Sequence, residues 1–305
     1  MNAVVRIEPE VAEALASGEP VVALESTLIA HGLPRGRNLE VARELESVVR
    51  AEGAVPATIA VVAGEARIGL DDAALQALAL GGDFAKAGVR DLAPAMASGG
   101  SAATTVASTS HLAARAGIRL FATGGLGGVH RDARDSWDES ADLTTLAGTG
   151  VTIVCAGVKS ILDVRATLER LETLNVAVIG FGTDRFPGFY LADSGFPVPW
   201  RVDTPEEVAR VMWTQAELGL GDRAIVVANP LPADEQVDPE VHDRVLGEAL
   251  AAAAEEGVSG AATTPFLLDR LHRETDGATL EANVALVRRN AALAARIARA
   301  AAHRG

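Results

Sequence analysis

The chain of 305 residues is 49% hydrophobic and 22% charged, the balance of a globular protein long enough for one large α/β domain or two smaller ones. Its formal net charge of −14 excludes a broad nucleic-acid surface, which needs clustered cations facing phosphates. Met1 to Glu10 carries charges and no signal-like apolar stretch, no apolar run reaches the roughly 18 residues of a membrane span, and the single cysteine, Cys155, forbids an internal disulfide and favours the cytoplasm.

In chain order, apolar β-type runs alternate with helical ones. Pro20–Leu24 reads as a strand and Leu39–Glu52 as a helix, and Ala57–Val62 with Asp71–Leu80 repeats the pair. Ser101-Ala-Ala-Thr104-Thr105-Val106 reads as the start of a helix running through Ala114. Strand-like runs follow at Gly117–Ala122, Val151–Ala156, Ala177–Gly180 and Ala224–Ala228, with helical runs at Ile161–Thr173, Glu206–Gln215 and Glu240–Ala254. Thr204-Pro205-Glu206-Glu207 is a capping box with proline at the first helical position. Thr279–Ala302 is an amphipathic helix begun by a Thr cap, with Leu280, Val284, Val287, Leu293 and Ile297 against Arg288, Arg289, Arg296 and Arg299. Such a face packs on the body of the fold or serves an oligomer contact. The alternation implies a largely parallel sheet covered on both faces, in one domain.

Of the 27 Lys and Arg residues, only Lys86 and Lys159 are lysine. A guanidinium stays protonated, whereas a desolvated lysine can become a neutral amine nucleophile. Lys159 follows the apolar run Val151–Gly157 and belongs at the carboxyl end of a buried strand, where open α/β folds place their chemistry. Glu25 ends the run Val21–Leu24 in the same way, as a general acid raised by partial burial or as half of a salt bridge. Thr123-Gly-Gly-Leu-Gly-Gly-Val-His130 is neither a P-loop nor a dinucleotide fingerprint. Its four glycines let backbone amides approach an oxygen-rich ligand, or make a tight turn. His130 is a pocket donor or a structural hydrogen-bonder. Asp132, Asp135, Asp138, Glu139 and Asp142 follow; oxygen ligands suit Mg²⁺ or Mn²⁺, and such a run also suits a solvated loop. Lys86 and Arg90, ahead of the hydroxyl-rich helix start, suit a phosphate, with a surface pair of Arg90 and Asp91 as the alternative.

Longer motifs join these residues. They are Ala23-Leu-Glu25-Ser-Thr, Thr104-Thr-Val106-Ala, Ala122-Thr-Gly-Gly-Leu-Gly-Gly-Val-His130-Arg and Ser136-Trp-Asp138-Glu-Ser-Ala-Asp142-Leu. Val154-Cys-Ala-Gly-Val-Lys159-Ser-Ile-Leu-Asp163, Phe181-Gly-Thr-Asp184-Arg-Phe-Pro-Gly-Phe-Tyr190, Asn229-Pro-Leu-Pro232, Thr263-Thr-Pro-Phe-Leu267 and Glu281-Ala-Asn283-Val-Ala-Leu complete the set. In these the chain resembles the pseudouridine-5'-phosphate glycosidase family over nearly its whole length.

The resemblance implies a three-layer α/β/α sandwich around a largely parallel sheet, a single domain over residues 1–305, and a homotrimer. It implies cleavage of pseudouridine 5'-phosphate with water to uracil and ribose 5-phosphate, in the cytoplasm. Lys159 is then the nucleophile, Glu25 the proton donor and Asp138 the ligand of one Mn²⁺. Lys86, Val106, Ser140, Ala141 and Asp142 would bind the substrate, with Thr123, His130 and Asn283 in support. Where the family usually carries Lys-Val-Ser-Arg-Arg-Asp-Leu, this chain reads Lys86-Ala-Gly-Val-Arg90-Asp-Leu92, and Ala102 stands where a glycine is usual. Both departures fall in the expected phosphate site and predict a weaker KM or a shifted substrate. The competing readings are an indigoidine synthase A-like glycosidase acting on a related C-nucleotide, and a non-catalytic sugar-phosphate-binding protein. The latter needs no nucleophile, so the joint presence of Glu25, Asp142 and Lys159 speaks against it.

Overall fold

A computed structural model describes residues 4–258, 263–275 and 277–302; the ends of the expected 1–305 domain lie outside the described residues. Up to residue 122 the chain forms β1 (Val5–Ile7), α1 (Pro9–Ser17), β2 (Val21–Leu24), α2 (Thr27–His31), α3 (Arg37–Ala51), β3 (Val55–Val62), β4 (Glu65–Ile68), α4 (Asp72–Leu80), β5 (Ala85–Ala87), α5 (Val89–Ala97), β6 (Ala102–Thr104), α6 (Val106–Ala116) and β7 (Leu120–Ala122). It continues through α7 (Ala133–Ser136), α8 (Ala141–Leu146), β8 (Thr152–Cys155), α9 (Val164–Thr173), β9 (Ala177–Phe181), β10 (Trp200–Val202), α10 (Pro205–Glu217), β11 (Ile225–Ala228), α11 (Pro239–Glu255), α12 (Thr263–Glu274) and α13 (Ala278–Ala302).

The strands β2, β7, β8 and β11 are buried at every position. A run without polar alternation is what a parallel strand needs when helices cover both faces of its sheet. The sheet runs β1-β4-β3-β2-β7-β8-β11-β9-β10, with β6 on β3 and β5 on β6. Only the pairings of β3 with β4 and β6 are antiparallel. Leu24 pairs with Ala122, Ala122 with Val154, and Ala228 with Cys155, so the carboxyl ends of β2, β7, β8 and β11 finish level. One helical layer is α13 flanked by α3 and α10 over β2, β7 and β8; α6 with α5 and α8 lies over β2, β3 and β4. This is the expected α/β architecture.

The C-terminal helix packs on the body. Ala282, Ala291, Ala294, Ala295 and Ala298 are buried, and their small side chains let α13 lie close to the sheet. Its start differs from the Thr-cap reading: Thr279 is inside the helix, and its N–H donates 3.3 Å to the Thr275 hydroxyl. Ala102–Thr104 is a strand rather than a helix start. The helix begins after Thr105, whose backbone N–H is taken 2.8 Å away by Ser108 Oγ. The β3–β4 hairpin also escaped the alternation pattern. Its two turn residues, Ala63 (φ 48°) and Gly64 (φ 82°), are both left-handed, which matches the right-handed twist of the flanking strands.

Cys155 ends β8 fully buried. Burial pushes its thiol up to about 12, against a weaker downward pull from the Gly157 N–H. At pH 8 the thiolate fraction is then roughly 10⁻⁴, so iodoacetamide should leave the native protein unlabelled and modify the guanidinium-unfolded chain once. Rapid native labelling, read by intact mass, would mean that β8 opens readily.

Candidate active site

The level strand ends set out the site. Glu25 follows β2 at once, half-buried, and its carboxylate accepts a hydrogen bond from Thr123 Oγ1. Thr123 is the residue after β7 and is fully buried; its own N–H reaches the Val154 carbonyl at 3.1 Å. Beyond β8 the chain turns back along the glycine loop: Ala156 N–H to Gly124 O (2.8 Å), Leu126 N–H to Gly157 O (2.9 Å) and Lys159 N–H to Leu126 O (3.1 Å). Gly157 takes φ 82° there, and a Cβ would sit 2.1 Å from the Pro187 carbonyl oxygen, so no other residue fits. Lys159 is thereby held half-buried over the same sheet edge as Glu25.

Charge confirms the proximity. Burial raises the Glu25 carboxyl above the ordinary range; the Lys159 charge and then the Thr123 hydrogen bond oppose it, Asp142 adds to it and Lys86 opposes. Lys86, on the edge strand β5, is exposed as a residue, yet desolvation and then the Lys159 charge hold its ammonium below the usual lysine range against Asp142 and Glu25. The charges of Lys159 and Asp142 therefore both bear on Glu25 and on Lys86.

Asp142 is buried at 6% exposure, and both its oxygens are engaged by backbone amides. Oδ1 accepts from Ala107 N–H (2.9 Å) in the first turn of α6, and Oδ2 from Gly127 N–H (2.8 Å) in the glycine loop. Each oxygen keeps one lone pair for a ligand. Ser140 caps α8, its hydroxyl accepting the Asp142 N–H at 3.2 Å, while the neighbouring Ala141 is exposed.

The glycine loop differs from the ligand-cradle expectation, because protein atoms fill the space beside its glycines. A Cβ would come within 2.5 Å of the Phe189 ring at Gly125, 2.3 Å of Ser140 Oγ at Gly127 and 2.3 Å of Thr167 Oγ1 at Gly128. The Gly127 amide serves Asp142. These glycines permit close packing that aims Asp142 and Lys159.

The acidic run separates in space. Glu139 pairs with Arg170 at 2.9 Å, Asp132 and Asp135 are exposed, and Asp142 turns inward. Asp138 is half-buried, with His130 Nδ1 at 3.8 Å from Oδ2. Among the described residues no group of three or more His, Cys, Asp and Glu side chains could hold a metal ion. A closed protein cage is therefore ruled out there, whereas a single carboxylate completed by waters fits a hard cation such as Mn²⁺.

At the corner expected to take a phosphate, Arg90 points outward, 93% exposed at its side chain and 3.5 Å from Asp91, as the surface-pair alternative has it. Gly88 stands at the N-cap of α5, where its N–H donates to Asp91 Oδ2 at 2.9 Å. The Thr105 N–H bonds Ala87 O at 3.2 Å, which sets the start of α6 beside Lys86 and the start of α5. Val106 is buried as a whole residue, 2% exposed, so its side chain offers a ligand no free surface.

Asn283 Oδ1 is buried without a hydrogen-bond partner, 3.4 Å from where a Gly124 Cβ would lie. An acceptor left open beside the site suits a ligand donor. Sequence reasoning missed three further residues. Asn290 binds the Thr123 carbonyl from α13; Arg131 binds the Ser160 and Ile161 carbonyls just beyond Lys159 at 3.1 and 3.2 Å; Ser26 Oγ accepts the Thr104 N–H at 2.7 Å, tying the Glu25 turn to β6. Only Asn290 left a signal: a second asparagine seven residues after Asn283 shares its helical face, inside an otherwise apolar stripe. An open groove of about 580 Å³ between β10 and α10, lined by Arg201, Arg210 and Leu218, contains none of the site residues.

Fold and site together define an α/β protein with a lysine–carboxylate centre at the carboxyl edge of its parallel strands. The indigoidine synthase A-like protein family matches residues 10–300, and the chain belongs to that family. It is 62% identical to the pseudouridine-5'-phosphate glycosidase of Streptomyces griseus, over 97% of this chain and 92% of that one, and 61% identical to that of Salinispora tropica, over 97% and 91%. Among solved structures, the prealnumycin C-glycosynthase AlnA in complex with ribulose 5-phosphate superposes with TM-score 0.92 at 37% identity, over 99% of this chain and 98% of that one. An indigoidine synthase A-like protein from Thermotoga maritima gives 0.88 at 37% identity, over 98% and 96%. Among the described residues no helix is long and apolar enough to cross a membrane.

Proposed function

We propose that the protein reversibly cleaves the C–C glycosidic bond of pseudouridine 5'-phosphate with water, giving uracil and ribose 5-phosphate, with Lys159 as nucleophile and Glu25 as proton donor. A chain this similar to glycosidases over almost all its length is an enzyme of glycosidase type. The observation that carries the finer reading is the meeting of Lys159 with a Glu25 whose carboxyl is raised by burial, at one sheet edge and beside Lys86 and Asp142.

The chemistry asks for that pair. A carbon-linked uracil is a poor leaving group, and a covalent route divides the barrier into smaller steps. Glu25 donates its proton to the ribose ring oxygen, the C1'–O pair goes to that oxygen, and the uracil ring supports C1' as the sugar opens. Lys159 passes its ammonium proton to the carboxylate that Glu25 has become, and the free amine adds to C1'. The proton that the added nitrogen then sheds is delivered to uracil C5, which lets the C1'–C5 bond break, its electrons returning to the uracil ring while the freed nitrogen lone pair closes a C=N bond. Water hydrolyses this Schiff base, releasing ribose 5-phosphate and regenerating Lys159. Lys86 and the first-turn amides of α5 hold the 5'-phosphate, and Asp142 and the open Asn283 acceptor orient the polar edges of sugar and base.

Asp138, with His130 beside it, would hold Mn²⁺, which when bound would supply positive charge and ordered waters to the site. EDTA-treated, metal-free enzyme should lose at least ~10-fold in rate and regain it with Mn²⁺. An unchanged rate would give Asp138 another role.

Glu25→Gln cannot donate a proton and should lower kcat by ~10²–10⁴-fold with little change in melting temperature. In the wild type kcat should fall on the alkaline side as the raised Glu25 carboxyl ionises, because only its protonated form donates. A flat alkaline profile would remove Glu25 from the acid role. The whole reading is tested by incubating the protein with pseudouridine 5'-phosphate, Mn²⁺ and borohydride and mapping the product by peptide mass spectrometry. A reduced ribose-phosphate adduct on Lys159 is expected. Uracil release without an adduct would sink the Schiff base, and no uracil at all would sink the reaction.

A further inference from the structure

Asn290 is fully buried on α13, and its amide is committed on both sides. Nδ2 donates to the Thr123 carbonyl at 2.8 Å and to the Gly124 carbonyl at 3.4 Å, while Oδ1 accepts from Asn229 Nδ2 at 2.9 Å. The two carbonyls set the orientation, since a flipped Asn290 would set its oxygen against them, and the Asn290 oxygen is then left to accept from Asn229. Asn229 follows β11 directly, and its own N–H reaches the Cys155 carbonyl at 2.8 Å. The two amides thus join the carboxyl ends of β11 and β8 to that of β7, where the Thr123 hydroxyl is bonded to Glu25.

A buried asparagine in a helix whose buried residues are mostly alanine, valine, leucine and isoleucine costs desolvation, and its donations go to two backbone carbonyls at the site. We propose that Asn290, braced by Asn229, is a positioning residue that holds the Thr123–Gly124 backbone so that the Thr123 hydroxyl donates to Glu25. This rests on the reading of Glu25 as proton donor. Neither asparagine touches the reacting atoms. The charged groups that face Glu25 are Lys159, Asp142 and Lys86, and none of them is moved directly by a change at Asn290.

Three variants of the full chain test the relay: Asn290→Leu, which removes both donations; Asn229→Ala, a milder change that frees the amide; and Thr123→Val, which removes the hydroxyl itself. Two readouts are needed. One is kcat and KM against pH. The other is titration of the Glu25 carboxyl by carbon-13 NMR, its resonance assigned by its loss in Glu25→Gln. The hydroxyl favours the ionised carboxylate, so losing it moves the Glu25 titration and the alkaline limb to higher pH. Asn290→Leu should do this, with kcat down about 10-fold and KM within about 2-fold. Asn229→Ala should shift both in the same direction by less. Adding Asn290→Leu to Thr123→Val should change little further, because both break one chain of contacts.

A folded Asn290→Leu protein with an unmoved Glu25 titration would overturn the proposal. If that variant does not fold, an unmoved titration in Asn229→Ala does the same, and so does a double variant whose losses multiply. Should the wild type release no uracil, the assigned reaction fails, and the NMR titration still decides whether the relay sets Glu25.

Discussion

Lys159→Ala should lower uracil release by on the order of 10⁴-fold or more, the scale seen when a covalent nucleophile is removed. The Lys159 side chain forms no salt bridge with the described residues, so melting temperature should change little and the lost rate should reflect chemistry. Lys159→Arg sharpens the test. It keeps the positive charge that opposes the burial-raised Glu25 carboxyl, but a guanidinium does not become a neutral amine nucleophile, so it should be as inactive as the alanine variant. Retention of more than a few per cent of the wild-type rate by Lys159→Arg would show that charge suffices and that no covalent bond forms.

Asp142→Asn should be the near-isosteric change in the site that costs the most stability. The carboxylate accepts from Ala107 N–H and Gly127 N–H on different oxygens, whereas an amide has only one acceptor atom. Whichever way it turns, its NH₂ faces a buried N–H donor. Losing a charged hydrogen bond and orphaning a buried amide costs about 2–4 kcal/mol, which should appear as a clear fall in melting temperature. Activity should fall with it, because the two amides belong to α6, beside Lys86, and to the glycine loop that seats Lys159. An unchanged melting temperature would mean that Asp142 is held less tightly than its two contacts require.

Asp142 and the glycine loop show where sequence reading stopped. Both stood out as residues that could meet a ligand, by their types and by their motif. What could not be read was that Gly127 lies against Ser140 and Asp142, and Gly128 against Thr167. Close packing between segments distant in sequence leaves no local signature, and a packing glycine looks like a ligand-cradling one. The acidic run shows the opposite case. Its carboxylates are adjacent in sequence, but the turn at Ser136–Asp138, with Trp137 at φ 59°, and the start of α8 aim them in different directions.

The sequence by itself determined the alternation of buried strands and helices, and with it a parallel sheet covered on both faces, because fully buried strands must be apolar throughout. It also brought Lys159 and Glu25 forward as candidates, a scarce lysine and a carboxylate each placed just past an apolar run, with a salt bridge left open as the alternative for Glu25. The antiparallel β3–β4 hairpin and the short β6 were beyond it, being too brief to show a period. Only the tertiary structure decided that β2, β7, β8 and β11 end level, so that residues 25, 123, 159 and 229 meet at one edge, and that Asn290 reaches Thr123 across 167 positions of chain. Strand order and register arise from contacts distant along the chain, whereas periodicity and residue type are local, and only the local part is written where a sequence can be read.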